Sequence, residues 1–214
     1  MTALTVETPH GPARVYLHRV DEPRAGLVLG HGAGGGVEAS DLIAATEAAL
    51  AEGVSVALVE QPYRVAGRRS PPAVPRLDAA WTAVVQHLRA KELAGLPLIV
   101  GGRSAGARVA CRTAGESGAV ALLCLAFPLE SLGRRSATSA AKSRLTELDA
   151  AGVSTLVVQG DRDRFGLPPE GPGRQVVVVP GDHGLKKDLE AVKAAVTAWL
   201  PGVVAGAAPI AASG

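Results

Sequence analysis

Aromatic residues are scarce in this chain, with two Trp, two Tyr and two Phe among 214 residues. So few rings leave little with which to stack bases or sugars, and a platform of that kind is not expected. An excess of one charge is also missing. Lys and Arg number 22 against 20 Asp and Glu, a net charge of +2. The basic residues fall in scattered pairs (Arg68-Arg69, Arg134-Arg135, Lys186-Lys187) and form no tract, so no nucleic-acid partner is expected. The only two cysteines, Cys111 and Cys124, make no disulfide framework and read as buried, reduced thiols. The histidines at 10, 18, 31, 87 and 183 form no H-x-x-H or H-x-x-x-H pair. Neither a metal nor another cofactor is therefore expected. The N-terminal stretch "MTALTVETPHGPARVYL" lacks the basic start and apolar block of a signal peptide. No apolar run in the sequence approaches the ~18 residues of a spanning helix. The expectation is a cytoplasmic protein without a membrane partner. Its oligomeric state is not written in the sequence.

What is plentiful is small and aliphatic: 47% of residues are hydrophobic, mostly Ala, Val and Leu, and 26 are Gly. Short β-branched runs alternate with helical periods. "ALTVET" and "ARVYLHRV" flank the turn "PHGP" and read as an antiparallel opening pair. "AGLVLG", "VSVALVE", "LPLIVGG", "AVALLCLAF", "STLVVQG" and "GRQVVVVPG" are continuous apolar runs of the kind found in strands covered on both faces. Helical spacing links Leu42, Ile43, Thr46, Ala49 and Leu50, then Leu77, Trp81, Val84, Val85 and Leu88. Further helices are expected at 104–116, around Leu145 and Leu148, and from Leu185 to Leu200. Residues 201–214 show no evident period and read as a loose tail. The fold class is α/β: one domain over 1–200, with about eight mostly parallel strands and helices on both faces.

In such a sheet, ligands and chemistry collect at the carboxyl ends of the strands. There the sequence places Gly102-Arg103-Ser104-Ala105-Gly106, a G-x-S-x-G pattern between an expected strand and an expected helix. A turn this tight lifts a serine hydroxyl above the sheet edge and leaves room only for small neighbours. A serine needs a base, and the base needs an orienting acid. "LVVQGDRDRFG" offers Asp161 and Asp163 at the next-to-last strand end, and "VVVVPGDHGL" offers His183 at the last. Asp163, further out on its loop, is the better placed acid; Asp161 reads as a tie within the turn. "LGHGAGGGVE" ends the third strand, where acyl transfer needs an oxyanion donor. The expected donors are the backbone N–H groups of Ala105 and Ala33, with Gly34 as the alternative to Ala33. His31 reads as a brace for that loop.

The same stretch satisfies the dinucleotide pattern Gly30-x-Gly32-x-x-Gly35, with Glu60 where a ribose-binding acid would lie. Two strands precede it, however, and that reading leaves Ser104, Asp163 and His183 without a task.

"LGHGAGG", "GGRSAGARVA", "LVVQGDRDRFG" and "PGDHGL", in this order, resemble the signature blocks of the α/β-hydrolase superfamily. The likeness is to a small, lidless branch common in bacteria, of dienelactone-hydrolase-like size, with a eukaryotic relative in a histone-acetyltransferase complex. It covers about residues 24–200. The resemblance implies Ser104 as nucleophile, Asp163 as acid, His183 as base and His31-Gly32-Ala33 as the oxyanion loop. The expected partner is then a small ester, cleaved by a serine carboxylesterase through an acyl-enzyme. A thioesterase or amidase would use the same residues, and a silent scaffold on this fold is the reading from another class. Two departures stand out. Arg164 follows the acid where many hydrolases have proline, so a less fixed loop is expected there. Only "PLESLGRRSATSAAK" occupies the place of a cap, and its basic residues Arg134, Arg135 and Lys142, with Arg144 beyond, read as solvated surface.

Overall fold

A computed structural model describes residues 1–131 and 143–207. Eight strands form one sheet: β1 (Thr2–Val6), β2 (Ala13–His18), β3 (Ala25–Gly30), β4 (Val54–Glu60), β5 (Leu98–Arg103), β6 (Ala121–Leu125), β7 (Ser154–Gly160) and β8 (Arg174–Val179). Their order is β1-β2-β4-β3-β5-β6-β7-β8. The β1–β2 and β2–β4 pairs are antiparallel, and all others are parallel. The α/β architecture expected from the sequence is the one observed.

The helices are α1 (Ser40–Ala51), α2 (Pro62–Val65), α3 (Val74–Ala90), α4 (Ala105–Ser117), α5 (Leu145–Asp149) and α6 (Leu189–Gly206). Period-2 geometry sends alternate residues of each strand to opposite faces, and both faces are covered. In β3, Val28 joins the core under α3 and α4, while Leu27 and Leu29 join the core under α1 and α6. That double burial is why the central strands read as unbroken apolar runs.

Three expectations need correction. The helix expected from Leu185 begins at Leu189, where the Asp188 carboxylate accepts the Ala191 N–H at 2.9 Å. Leu185 is buried in a turn at φ +49° and belongs to the preceding loop. Residues 201–206, expected in the tail, continue α6 through Pro201. Val203 and Val204 extend the stripe of Val192, Ala195, Val196, Trp199 and Leu200 by a further turn against the core, and that packing outweighs the proline. The rest of the expected tail, 208–214, lies outside the described residues. By length and composition α6 is long and apolar enough to cross a membrane, although Glu190 and Lys193 interrupt its apolar sequence. Its stripe is instead the one packed on the sheet. In α1, alanines share the buried face with Leu42, and Ile43 is exposed. Alanine is too small to mark a face by hydrophobicity alone.

The sheet places the strand ends that matter side by side. Gly30 at the end of β3 pairs with Gly102 near the end of β5. Past β5, the Ser104 N–H donates to Leu125 O at 2.9 Å. Two arginines fix the direction of α4. Arg108 grips Glu147 of α5 through two hydrogen bonds, at 2.8 and 2.6 Å, and Arg112 grips Asp78 of α3, at 2.9 and 2.6 Å. Such forked pairs fix geometry as well as adding energy.

Candidate active site

Ser104 sits at φ +53°, ψ −108°, a backbone state that costs on the order of 1–3 kcal/mol for a residue with a side chain. The surrounding packing imposes it. A Cβ on Gly106 would run into the Gly30 carbonyl and come within 2.8 Å of His31 O. A Cβ on Gly102 would meet the same Gly30 carbonyl and approach the Gly106 backbone to 2.9 Å. Both glycines beside the serine are therefore required by the close passage of β3.

The turn brings the three expected side chains together. Ser104 Oγ lies 2.9 Å from His183 Nε2, and His183 Nδ1 lies 2.7 Å from Asp163 Oδ2. A carboxylate accepts from Nδ1–H, so Nε2 is left to accept the serine proton. Phe165 stacks at a tilt beside the imidazole, with ring centroids 4.4 Å apart. Asp161 stays out of this chain: it is half exposed, and its Oδ1 accepts the Gly181 N–H at 2.8 Å. That bond ties the β7 loop to the β8 loop and holds the Asp161 carboxyl below the usual range.

Asp163 is enclosed by donors. Besides His183, its Oδ2 accepts from Gln159 Nε2 at 2.8 Å, and its Oδ1 accepts from the Phe165 N–H at 2.9 Å. Gln159 is fully buried and also donates to the carbonyls of Phe127 and Gly166. The Glu130 N–H donates to Phe165 O and the Gly166 N–H to Asp163 O. The loop expected to be loose for want of a proline is thus held by hydrogen bonds on both sides. Sequence reasoning passed over Gln159, although a glutamine inside the apolar run "STLVVQG" was a visible signal.

Arg103, the residue before the serine, was also passed over. Its guanidinium donates from Nε to Asp41 Oδ2 at 3.1 Å and from Nη2 to the His183 carbonyl at 2.8 Å. Nη1 closes on Gly32, where a Cβ would stand 2.8 Å from it. One side chain thereby contacts the serine turn, the histidine loop and the loop after β3. Asp41 is almost wholly buried at the start of α1, and burial pushes its carboxyl upward while Arg103 draws it back.

The loop after β3 is braced as expected. The Gln61 N–H donates to His31 Nε2 at 3.1 Å, which leaves Nδ1 as the donor to Gly32 O at 2.8 Å. Burial lowers the His31 imidazole, in keeping with this neutral form. Tyr63 donates its hydroxyl to Ala33 O at 2.9 Å, and burial pushes its phenol up to about 12. A Cβ on Gly32 would lie 3.7 Å from Ser104 Cβ, so this loop borders the serine. On the other side, the Ala105 N–H is among the first of α4, which helix geometry leaves without an intrahelical acceptor. The dinucleotide reading has no support here. Arg103 lies against Gly32, Tyr63 holds the Ala33 carbonyl, and Glu60 faces the Tyr16 hydroxyl at 3.5 Å.

Of the basic residues expected on the surface beyond β6, Arg134, Arg135 and Lys142 lie outside the described residues. Arg144 donates to Pro128 O at 2.9 Å and Glu130 O at 3.0 Å, bracing its own loop. Cys111 and Cys124 are free and buried, with their sulfurs 3.6 Å apart.

Solved structures share this fold. A lidless α/β serine hydrolase from Xanthomonas campestris, XC6422, is 20% identical with a TM-score of 0.75, over 97% of this chain and 96% of that one. Est1E from Butyrivibrio proteoclasticus is 18% identical with a TM-score of 0.77, over 96% and 100%. The dienelactone hydrolase of Anabaena variabilis is 15% identical with a TM-score of 0.72, over 94% and 96%. No curated protein sequence matches the chain. At these identities the likeness speaks for the fold. The family model described as "Alpha/beta hydrolase domain" matches residues 23–190, and the chain belongs to that family.

Proposed function

We propose that this protein is a serine hydrolase that cleaves small acyl esters through an acyl-enzyme on Ser104. The observation that carries this reading is the unbroken hydrogen-bonded path from Ser104 Oγ through His183 to Asp163. A scaffold has no need of a strained, half-buried hydroxyl aligned with an oriented imidazole. His183 Nε2 takes the Ser104 proton as Oγ attacks the ester carbonyl, and Asp163 holds the imidazole in the productive tautomer. The N–H groups of Ala105 and Ala33 receive the oxyanion, with Gly34 as the alternative to Ala33. His183 then protonates the leaving alcohol as the acyl C–O bond breaks, and water releases the acid by the same route. The lidless hydrolase among the structural neighbours supports the general class.

The test is hydrolysis of p-nitrophenyl acetate, butyrate and octanoate by the wild type and by Ser104→Ala. The reading expects turnover that falls by about 10³-fold or more in the variant, with short chains preferred. Equal rates from both proteins would overturn it, and a preference for octanoate would overturn the short-acyl part.

A further inference from the structure

The loop after β3 carries two of the proposed oxyanion donors, yet packing does not hold it. A Cβ added at Gly34 or Gly35 would meet nothing within 4 Å, in contrast to Gly102 and Gly106. Gly34 is exposed, and Ala33 and Gly35 are half-buried. The run Gly34-Gly35-Gly36 also gives this stretch more conformational freedom than any other residues would. Oxyanion donors act through a direction that is set before the charge develops. Something other than contact must therefore set the direction of these peptides.

Hydrogen bonds do so at two successive carbonyls. Gly32 O accepts from His31 Nδ1 at 2.8 Å and from the Gly35 N–H at 3.3 Å, both within the loop. Ala33 O accepts from the Tyr63 hydroxyl at 2.9 Å. Among the described residues, it is the only backbone atom of 32–36 bonded from outside the loop. A peptide unit is planar and trans, so each N–H points opposite to the carbonyl before it. Fixing Gly32 O thus fixes the Ala33 N–H, and fixing Ala33 O fixes the Gly34 N–H. Ala33 is held between two anchored planes, and neither N–H is spent on a backbone acceptor among the described residues.

The sequence after β4 builds Tyr63 into its place. Pro62, with its fixed φ, opens the short helix α2 directly after Gln61. That turn presents the Gln61 N–H to His31 Nε2 and the Tyr63 hydroxyl to Ala33 O. The tyrosine is buried, and its ring lies beside the imidazole with centroids 5.7 Å apart. With its phenol pushed up to about 12, the hydroxyl stays a donor around neutral pH.

We propose that Tyr63 is a positioning residue for the oxyanion, its hydroxyl aiming the Gly34 and Ala33 N–H groups through Ala33 O. The inference rests on the serine-hydrolase reading and deepens it. In this role Tyr63 touches no reacting atom. It acts on charge that develops on the carbonyl oxygen only as Oγ attacks, so its loss lowers kcat and spares KM.

The experiment compares the wild type with Tyr63→Phe, which keeps the ring and removes only the hydroxyl. Tyr16→Phe is the control, because the Tyr16 hydroxyl also has a distant partner, Glu60 at 3.5 Å, but none in the loop after β3. Hydrolysis of p-nitrophenyl butyrate is followed, with the Ser104→Ala rate subtracted as background. Inhibition by n-butylboronic acid is measured beside it, since its tetrahedral adduct on a serine hydroxyl mimics the transition state. Tyr63→Phe is expected to lower kcat about tenfold with KM within about twofold, short of the roughly 10²–10³ lost with a donor itself. Its inhibition constant for the boronic acid is expected to rise by about the same factor, while Tyr16→Phe matches the wild type in both. Unchanged kcat in Tyr63→Phe, or a lower kcat with unaltered inhibition, would overturn the inference and leave the hydrolase reading intact. An equal loss in Tyr16→Phe would overturn it too, because the effect would then belong to the fold at large. Without Ser104-dependent turnover in the wild type, the hydrolase reading fails and the inference fails with it.

Discussion

The two ends of the Ser104–His183–Asp163 chain are held by different physics. At the serine end position comes from contact: Gly102 and Gly106 lie against the Gly30 backbone with no room for a methyl group. At the acid end it comes from hydrogen bonds, three of them converging on one buried carboxylate from Gln159, Phe165 and His183. Contact of backbone on backbone cannot yield by degrees, because close-packed interiors do not deform continuously. A hydrogen-bonded cage can lose one member and keep the rest. The serine end should therefore be brittle and the acid end graded.

The largest effect is expected from Gly106→Val. Its side chain must displace β3 or the turn, and overpacking of this kind costs about 3 kcal/mol or more. Urea denaturation should show the loss of stability, and esterase assay a near-complete loss of activity. A variant of unchanged stability would break the steric half of the comparison. Arg103→Met comes next, at about 3 kcal/mol, because it strands Asp41 in the interior. The double variant Arg103→Met/Asp41→Leu separates structure from positioning. Its stability should recover while kcat stays low, since the bond from Arg103 to the His183 carbonyl is still missing. Gln159→Leu removes one member of the cage at the acid end. A destabilisation of about 1–2 kcal/mol is expected, with kcat lowered and KM little altered.

The smallest effect concerns the brace. Burial holds the His31 and His18 imidazoles below the ordinary value of 6.5. Just below pH 6.5 the unfolded chain therefore binds more protons than the folded one. Their contribution to stability is complete above that pH and declines as pH falls through it. Asp41, held above its ordinary 3.8, acts with the opposite sign at lower pH. The melting temperature should fall between pH 7 and pH 5, and less steeply in His31→Asn; equal slopes would remove His31 from the account.

The same contrast explains what the sequence could reveal. Glycines packed on glycines leave a local imprint, and G-x-S-x-G after an apolar run marks the turn in the sequence itself. The apolar runs of β3 to β7 likewise follow from burial on both faces. The partners of Asp163 leave no such imprint, since a backbone N–H from Phe165 is invisible in sequence and Gln159 becomes meaningful only when β7 lies beside the β6 loop. Arg103 and Asp41 are 62 positions apart, and no periodicity connects them. The end of α6 was obscured for another reason: Pro201 and Gly202 suggested a break, and only tertiary packing of Val203 and Val204 overrides it.

The central claim is that the alignment of Ser104 with His183 makes this one hydroxyl nucleophilic. The most direct measurement is labelling of the intact protein with a fluorophosphonate, followed by peptide mass spectrometry, in the wild type and in His183→Ala. The account predicts one adduct, on Ser104, formed rapidly in the wild type and slower by about 10³-fold without the imidazole. No adduct on Ser104, or one that forms equally fast in His183→Ala, would contradict it.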